Sequence, residues 1–414
     1  MMVLRTSVAF LASALAFLPI CGATGATYVI QPDGLGDYAT IQEAILAAGD
    51  GDVIELTDGT FGGDGNRDIM VPSRDLTIRS QSGDPMACVI DCEGSARAEH
   101  RGFYFEAAVG TGDVLLDGIG VMNGYTTGNG GGLIIEGADT MVENCIIAQC
   151  TSDGSLTRGG GVYVSSSSSP HFVDCIITGC TAGYGGGVNI YQAGGVFESC
   201  TVIDNSATAI VGGVYMQSAR DCHFSECSIV SNEAPRIAGV RASNSTSYVI
   251  SFEGCSISRN LSTYGDAWGL MLYTDAIVTN CTIVENVASF GVGAGVYCFG
   301  DDCELTRCII AYTENGFGIA ASAEGNEPTL TCCDVYGNAD GDYDAIVGDQ
   351  TGVNNNFSLP PGLCDRENGD YRLFDTSPCL ATASPCGLLV GAYDQGCDSP
   401  VEHMSWGAIK VLYQ

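Results

Sequence analysis

Lysine is almost absent from this 414-residue chain: the one example is Lys410, and 15 basic residues face 49 acidic ones for a formal charge of -34. A surface of that sign repels the phosphates of nucleic acid and anionic lipid, so both are excluded as partners. Histidine is scarce as well, with four scattered residues, and no paired Cys-x-x-Cys signature accompanies them. A transition-metal site is therefore not expected. Long Ala/Leu/Glu/Lys blocks are missing, which disfavours a helical protein, and charged residues make up only 15%. No apolar run long enough to cross a bilayer occurs after the first 26 residues.

Those first residues, MMVLRTSVAFLASALAFLPICGATGA, carry a cation at Arg5, an apolar core from Val8 to Ile20 and small residues at Ala23, Gly25 and Ala26. The pattern is that of a secretory signal peptide cut near Ala26, placing the mature chain outside the cytoplasm, secreted or at the cell surface, with no membrane span of its own. Acylation at Cys21 fits poorly, because Pro19 and Ile20 stand where small residues belong.

What the chain has in abundance is glycine, 57 residues, and cysteine, 21 residues, and both recur with a period. Cys145, Cys175, Cys200, Cys227, Cys255, Cys281, Cys308 and Cys333 each open a Cys-x-(Ile/Val) segment, at intervals of 30, 25, 27, 28, 26, 27 and 25 residues. An apolar residue stands three before each cysteine, and five after it come Cys150, Cys180, Asn205, Asn232, Asn260, Asn286, Thr313 and Asn338. Ahead of this block a glycine turn ends at Gly132, Gly161, Gly187, Gly213, Gly239, Gly269, Gly295 and Gly318. The first and third residues after each glycine are mostly apolar, so they face the interior of a short strand. A unit of about 26 residues with two or more short strands is too small to bury its own apolar face, and stacking neighbours completes the core.

In-register asparagines bond to their own turn and to the asparagine above, and glycine lets successive backbones approach closely. On these columns the chain resembles the right-handed parallel β-helix proteins of the pectate-lyase-like superfamily, over roughly Thr27 to Cys397; the glycine turns also look like the repeats of polymorphic outer-membrane proteins. The resemblance implies an all-β solenoid, here of about ten coils. Its parts are an N-terminal cap and first coil at 27–60, regular repeats at 118–338, irregular closing coils at 339–397 and a tail at 398–414. Within the cap, Thr40 and Glu43 have capping-box spacing, and Ile41, Ala44, Ile45 and Ala48 form one helical face, so a short helix starts at Thr40, with the first coil beginning at Val53 to Leu56.

Stacked cysteines with parallel Cβ vectors suit buried thiols better than bridges. Disulfide candidates are Cys150 with Cys180, Cys88 with Cys92, Cys364 with Cys379 and Cys386 with Cys397.

For function, the residue between the two inward positions runs Ile134, Tyr163, Asn189, Tyr215, Arg241, Met271, Tyr297 and Ala320 along one face. Exposed, Tyr163, Asn189, Tyr215, Arg241 and Tyr297 form a stripe able to stack and hydrogen-bond glycan rings. The preferred expectation is a monomeric adhesin or glycan-binding scaffold without catalysis, its partner a polysaccharide or cell-surface glycan. A structural spacer is a third reading. Between them stands a polysaccharide lyase or hydrolase, implied by the resemblance. Lyases of this fold use an Arg or Lys base with Ca²⁺ held by carboxylates, and Arg236 with Arg241 is the close basic pair available. Asp340, Asp342 and Asp344 alternate in an irregular insertion and are the candidate calcium ligands, although an EF-hand's glycine and final glutamate are missing. The opening segment, GDYATIQEAILAAGDGDVIELTDGTF, looks like that of pectin methylesterases, but the Gln-Asp pair and Asp-Phe-Ile-Phe-Gly motif of that family are absent, as are the Gly-His-Gly and Arg-Ile-Lys segments of polygalacturonases.

Overall fold

The computed structural model describes residues 25–106, 113–244, 248–264, 268–289, 293–300, 302–323 and 327–398. The signal-peptide segment, but for its last two residues, and nearly all of the C-terminal tail lie outside the described residues.

One coil illustrates the rest. Val188–Tyr191 forms a strand, a short turn leads to Gly195–Glu198, a bend to Thr201–Ile203, a second bend to Ser206–Ala207, and a glycine turn to the next coil at Val214–Ala219. Each strand pairs in parallel with its equivalents one coil before and after, in register: Val188 with Val214, Phe197 with Phe224, Val202 with Ile229. Among the described residues the four sheets hold 11, 12, 11 and 7 strands in that order. Sharp bends come from single residues at positive φ, such as Ser199 (51°) and Asp204 (55°).

Twelve strands in the longest sheet exceed the ten coils expected. The coils beyond the eight cysteine repeats are N-terminal: Thr27–Ile30, Asp52–Leu56, Leu76–Ser80 and Val114–Asp117 join that sheet in register but carry none of the stacked-cysteine signature. Thr27–Ile30, not Val53–Leu56, is the first strand; it pairs Thr27 with Val53 and precedes the helix. That helix, α1 (Ile41–Ala47), has Thr40 as N-cap accepting from the Glu43 N–H at 3.2 Å, and Ile41, Ala44 and Ile45 are buried. No helix among the described residues is long and apolar enough to span a membrane.

The interior repeats what the columns demand. Phe172, Phe197, Phe224 and Phe252 stack with ring centroids 4.8, 4.7 and 5.2 Å apart. The Asn205, Asn232, Asn260 and Asn286 amides form a ladder: the first three donate through Nδ2 to the next Oδ1 at 3.0 to 3.1 Å, and all four donate to a backbone carbonyl of the preceding coil. The eight stacked cysteines are buried free thiols, as parallel Cβ vectors require.

Bridges form elsewhere, and differently from expectation: Cys332 pairs with Cys386 and Cys364 with Cys397. Cys150, Cys180, Cys88, Cys92 and Cys379 remain free. Cys150 and Cys180 are stacked like the main column, so the same parallel geometry keeps them apart. Cys332, at φ 56°, turns outward where its neighbour Cys333 turns in, and so reaches a segment outside the coil.

That segment is the C-terminal part. Gly341–Tyr343 adds a last strand to the first sheet, and Val347 joins the main core. From Leu363 onward the chain turns back along the outside of the third sheet. There Leu363, Tyr371, Leu373, Cys379, Leu380 and Val390 form a second core with Val284, Ile309 and Ala311. Glu285 anchors it, pairing with Arg259 at 3.0 Å and Arg366 at 2.9 Å and accepting from the Tyr371 hydroxyl at 3.0 Å.

Candidate functional site

The register confirms the outward column and extends it: Met70, Tyr104 and Ile134 precede Tyr163, Asn189, Tyr215, Arg241, Met271, Tyr297 and Ala320. The expected exposure does not hold. Tyr163 is 5% exposed, Tyr215 4% and Asn189 0%, so these three cannot stack on a ligand. The cause is the chain leading into each strand. Gly130, Gly159 and Gly185, at φ 63 to 66°, fold it back over the column; a side chain on Gly130 would strike Ile134. In later coils Val211 and Ile237 take the place of those glycines, and with Tyr215 and Met271 they make an outer apolar cluster. Tyr184 stacks over Tyr215 at 5.8 Å.

Where this cover thins, a recess of about 420 Å³ opens, lined by Ile210, Arg236, Ile237, Arg241, Tyr264, Trp268 and Tyr273. The two arginines of the sequence pair are therefore brought to one place. Arg241 rises from the column with its guanidinium 4.4 Å from the Tyr273 ring centroid and 5.1 Å from that of Tyr215, and it donates to the Tyr215 hydroxyl. Burial holds the Tyr215 phenol above its ordinary range, against the opposing pull of Arg241. With one N–H on the Tyr215 hydroxyl, the guanidinium has the rest of its fork to offer a planar acceptor. Arg236 and Tyr264 are exposed at the rim. Trp268 is backed by Tyr297, with ring centroids 4.8 Å apart, so Tyr297 supports the wall and does not itself line the recess.

Tyr264, Trp268 and Tyr273 were not singled out from the sequence, though a signal existed. The slot before the turn glycine holds Gly131, Gly160, Gly186, Gly212, Ala238 and Ala294, and in that series Trp268 and Phe317 are the two bulky rings. Such a bulky ring cannot lie flat over the column as glycine does, and that of Trp268 stands up as a wall.

The candidate calcium ligands do not converge. Asp342 accepts from Asn338 through Oδ1 and from Ser358 through Oδ2, and Asp344 accepts from the N–H groups of Ile346, Val347 and Ala321. Asp340 is exposed at the strand end. The oxygens of Asp342 and Asp344 thus serve the closing turn, and among the described residues no group of three His, Cys, Asp or Glu is placed to hold a metal ion. The residues present do not fit a calcium site.

Two guanidinium groups and three aromatic rings, with no Asp, Glu, His, Ser or Lys among the described lining residues, can grip an anionic, ring-bearing ligand.

No curated protein matches the sequence. A crystal structure of pectate lyase Pel9A is similar at a TM-score of 0.51 and 13% identity, covering 90% of this chain and 97% of that one, which is likeness of fold alone. A pectin methylesterase from Aspergillus niger aligns over 83% of this chain and 92% of its own, with 14% identity and a TM-score of 0.35, too low to argue from. The right handed beta helix region family matches residues 86–213 and 187–358. With its parallel in-register coils and stacked asparagines, the chain belongs to the right-handed β-helix family.

Proposed function

We propose that the protein is an exported β-helix scaffold that binds glycans bearing acidic groups at the recess around Arg241. The carrying observation is the Arg241 guanidinium held between Tyr215 and Tyr273 beside Arg236 and Trp268, with no carboxylate among the described lining residues. On a chain of charge -34, a recess whose charged groups among the described lining residues are both arginines favours a carboxylated or sulfated sugar over a neutral one. Aromatic walls supply apolar contact for the sugar face, and the arginines supply paired donors. The signal-like leader and the two disulfides support an extracytoplasmic location.

Titration calorimetry of the full chain against uronate-containing and neutral oligosaccharides tests this reading. The uronate series is expected to bind, and Trp268→Ala or Arg241→Ala to weaken it at least tenfold, about 1.4 kcal/mol. Equal binding of neutral and acidic oligomers, or none of either, overturns it; release of unsaturated sugars on incubation favours a lyase.

A further inference from the structure

A second recess, of about 190 Å³, opens on the same outward column at its N-terminal end, lined by Asp68, Met70, Glu99, His100, Arg101 and Tyr104. Tyr104 lies five rungs from Arg241, about 24 Å at the spacing of neighbouring strands, so the two recesses are separate.

Asp68 organises this recess through three bonds. Its backbone N–H donates to the Arg101 carbonyl at 2.7 Å, its Oδ1 accepts from the Arg101 N–H at 2.9 Å, and its Oδ2 lies 2.7 Å from His100 Nδ1. The His100 backbone is fixed in turn by reciprocal bonds with Tyr125 at 2.9 and 2.7 Å. With Nδ1–H directed at a carboxylate, Nε2 is the basic nitrogen of the ring. Arg101 uses one N–H on the Thr126 hydroxyl at 2.8 Å, and four donors of its fork remain.

The neighbours narrow the chemistry. Glycoside cleavage needs a protonated carboxyl as acid. Glu99 accepts from the Thr127 N–H and hydroxyl and from the Thr126 hydroxyl, and these bonds hold it below the usual carboxylate range; Asp68 is engaged by His100. The Tyr104 hydroxyl donates to Glu136 at 2.6 Å, which pushes it up to about 12 and leaves its ring as a wall. Two carboxylates against one guanidinium disfavour an anionic sugar, and with it proton removal beside a uronate. Among the described residues that line the recess none is Ser, Thr or Cys, so water is assigned as the nucleophile.

We propose that this recess hydrolyses O-acyl esters of neutral sugars, with His100 as general base. Nε2 takes a proton from water as the water oxygen bonds to the acyl carbon, and the carbonyl pair moves onto oxygen, facing the Arg101 donors. The intermediate collapses, the bond from acyl carbon to sugar oxygen breaks, and Nε2 returns the proton to that oxygen. The products are a carboxylic acid and a sugar hydroxyl, and no cofactor is consumed. Asp68 is a positioning residue that holds the imidazole in its tautomer. The volume takes about one pyranose, with Met70 and the Tyr104 ring as apolar walls. The proposal does not rest on glycan binding at Arg241.

Acetate release from glucose pentaacetate by the full chain is the test. Wild-type protein is expected to turn over above buffer, His100→Gln to lose at least about 100-fold in kcat/KM, and His171→Gln to keep the wild-type rate. Asp68→Asn is expected to lower kcat by about 100-fold or more at unchanged KM and melting temperature, and it decides the matter if His100→Gln does not fold. No acetate above buffer from wild type, or a folded His100→Gln or Asp68→Asn with undiminished kcat, overturns the proposal.

Discussion

At the scale of single residues, the sandwich around Arg241 makes a demand that charge alone does not meet. Arg241→Lys keeps the cation but loses the planar contact with Tyr215 and Tyr273 and the forked donors, so affinity for an acidic oligosaccharide should fall about tenfold. Calorimetry on the variant checks this. A second residue governs pH dependence. Asp334 is fully buried beneath the C-terminal segment, accepting from the Leu359 N–H at 3.0 Å and the Cys379 thiol at 3.2 Å, and burial pushes it up to about 7. The folded state therefore binds this proton more tightly than the unfolded one. Its contribution is fully present below the ordinary aspartate range and is lost as pH rises through about 7. The loss is on the order of 4 kcal/mol for a shift of this size. Asp334→Asn should flatten the fall in melting temperature between about pH 4 and pH 7, the interval set by the ordinary and raised values. Tyr163 shows what the sequence could tell at this scale and what it could not. Alternation says that it points away from the core; it does not say that the chain entering the same strand folds back on top of it.

Strands and turns were more legible, because their determinants are local and recur. Cysteine, isoleucine and asparagine at fixed offsets mark a bend between two short strands, and from Cys145 to Cys333 each repeat forms one coil. The N-terminal coils hid because they are held by the same pairing without those residues; Ile54, Ile78 and Leu116 stack in register with nothing else in common. The ladder itself yields a test. Asn232 donates to the Val202 carbonyl and Asn260 Oδ1 and accepts from the backbone and side chain of Asn205. Asn232→Ala leaves those buried partners unpaired and should destabilise the protein by about 2–4 kcal/mol, read from urea unfolding. An alanine at the exposed Glu233 in the next position should cost under about 0.5 kcal/mol.

For the whole molecule, the coils and the C-terminal segment are held by different means. The coils depend on stacked apolar columns and amide ladders, whereas the segment from Leu363 to Cys397 adds two disulfides and the Glu285 ion pairs to a small core. Mild reduction should therefore raise amide hydrogen exchange across residues 363–397 while strands between Val142 and Val284 stay protected, and mass spectrometry resolves the two regions. Equal loss of protection in both would mean that the coils need the segment. The recesses were the least legible level, because each joins residues from several coils with loops whose path no periodicity encodes. Arg236 and Arg241 were visible as a pair; Trp268 and Tyr273, a full coil later, gain meaning only once the coils are stacked.

The column of free thiols has a consequence for how the chain folds. Eight cysteines held as thiols within a protein that also carries two disulfides must be buried before an oxidant couples them. Most inter-strand partners are about 26 residues apart in the sequence, so a coil docks on the one before it without closing a long loop. Disulfide formation takes seconds to hours. Coils that dock one after another shut each thiol away as soon as its own coil is complete, and the short repeat length, rather than any cysteine's own chemistry, limits how long the column is open to oxidation.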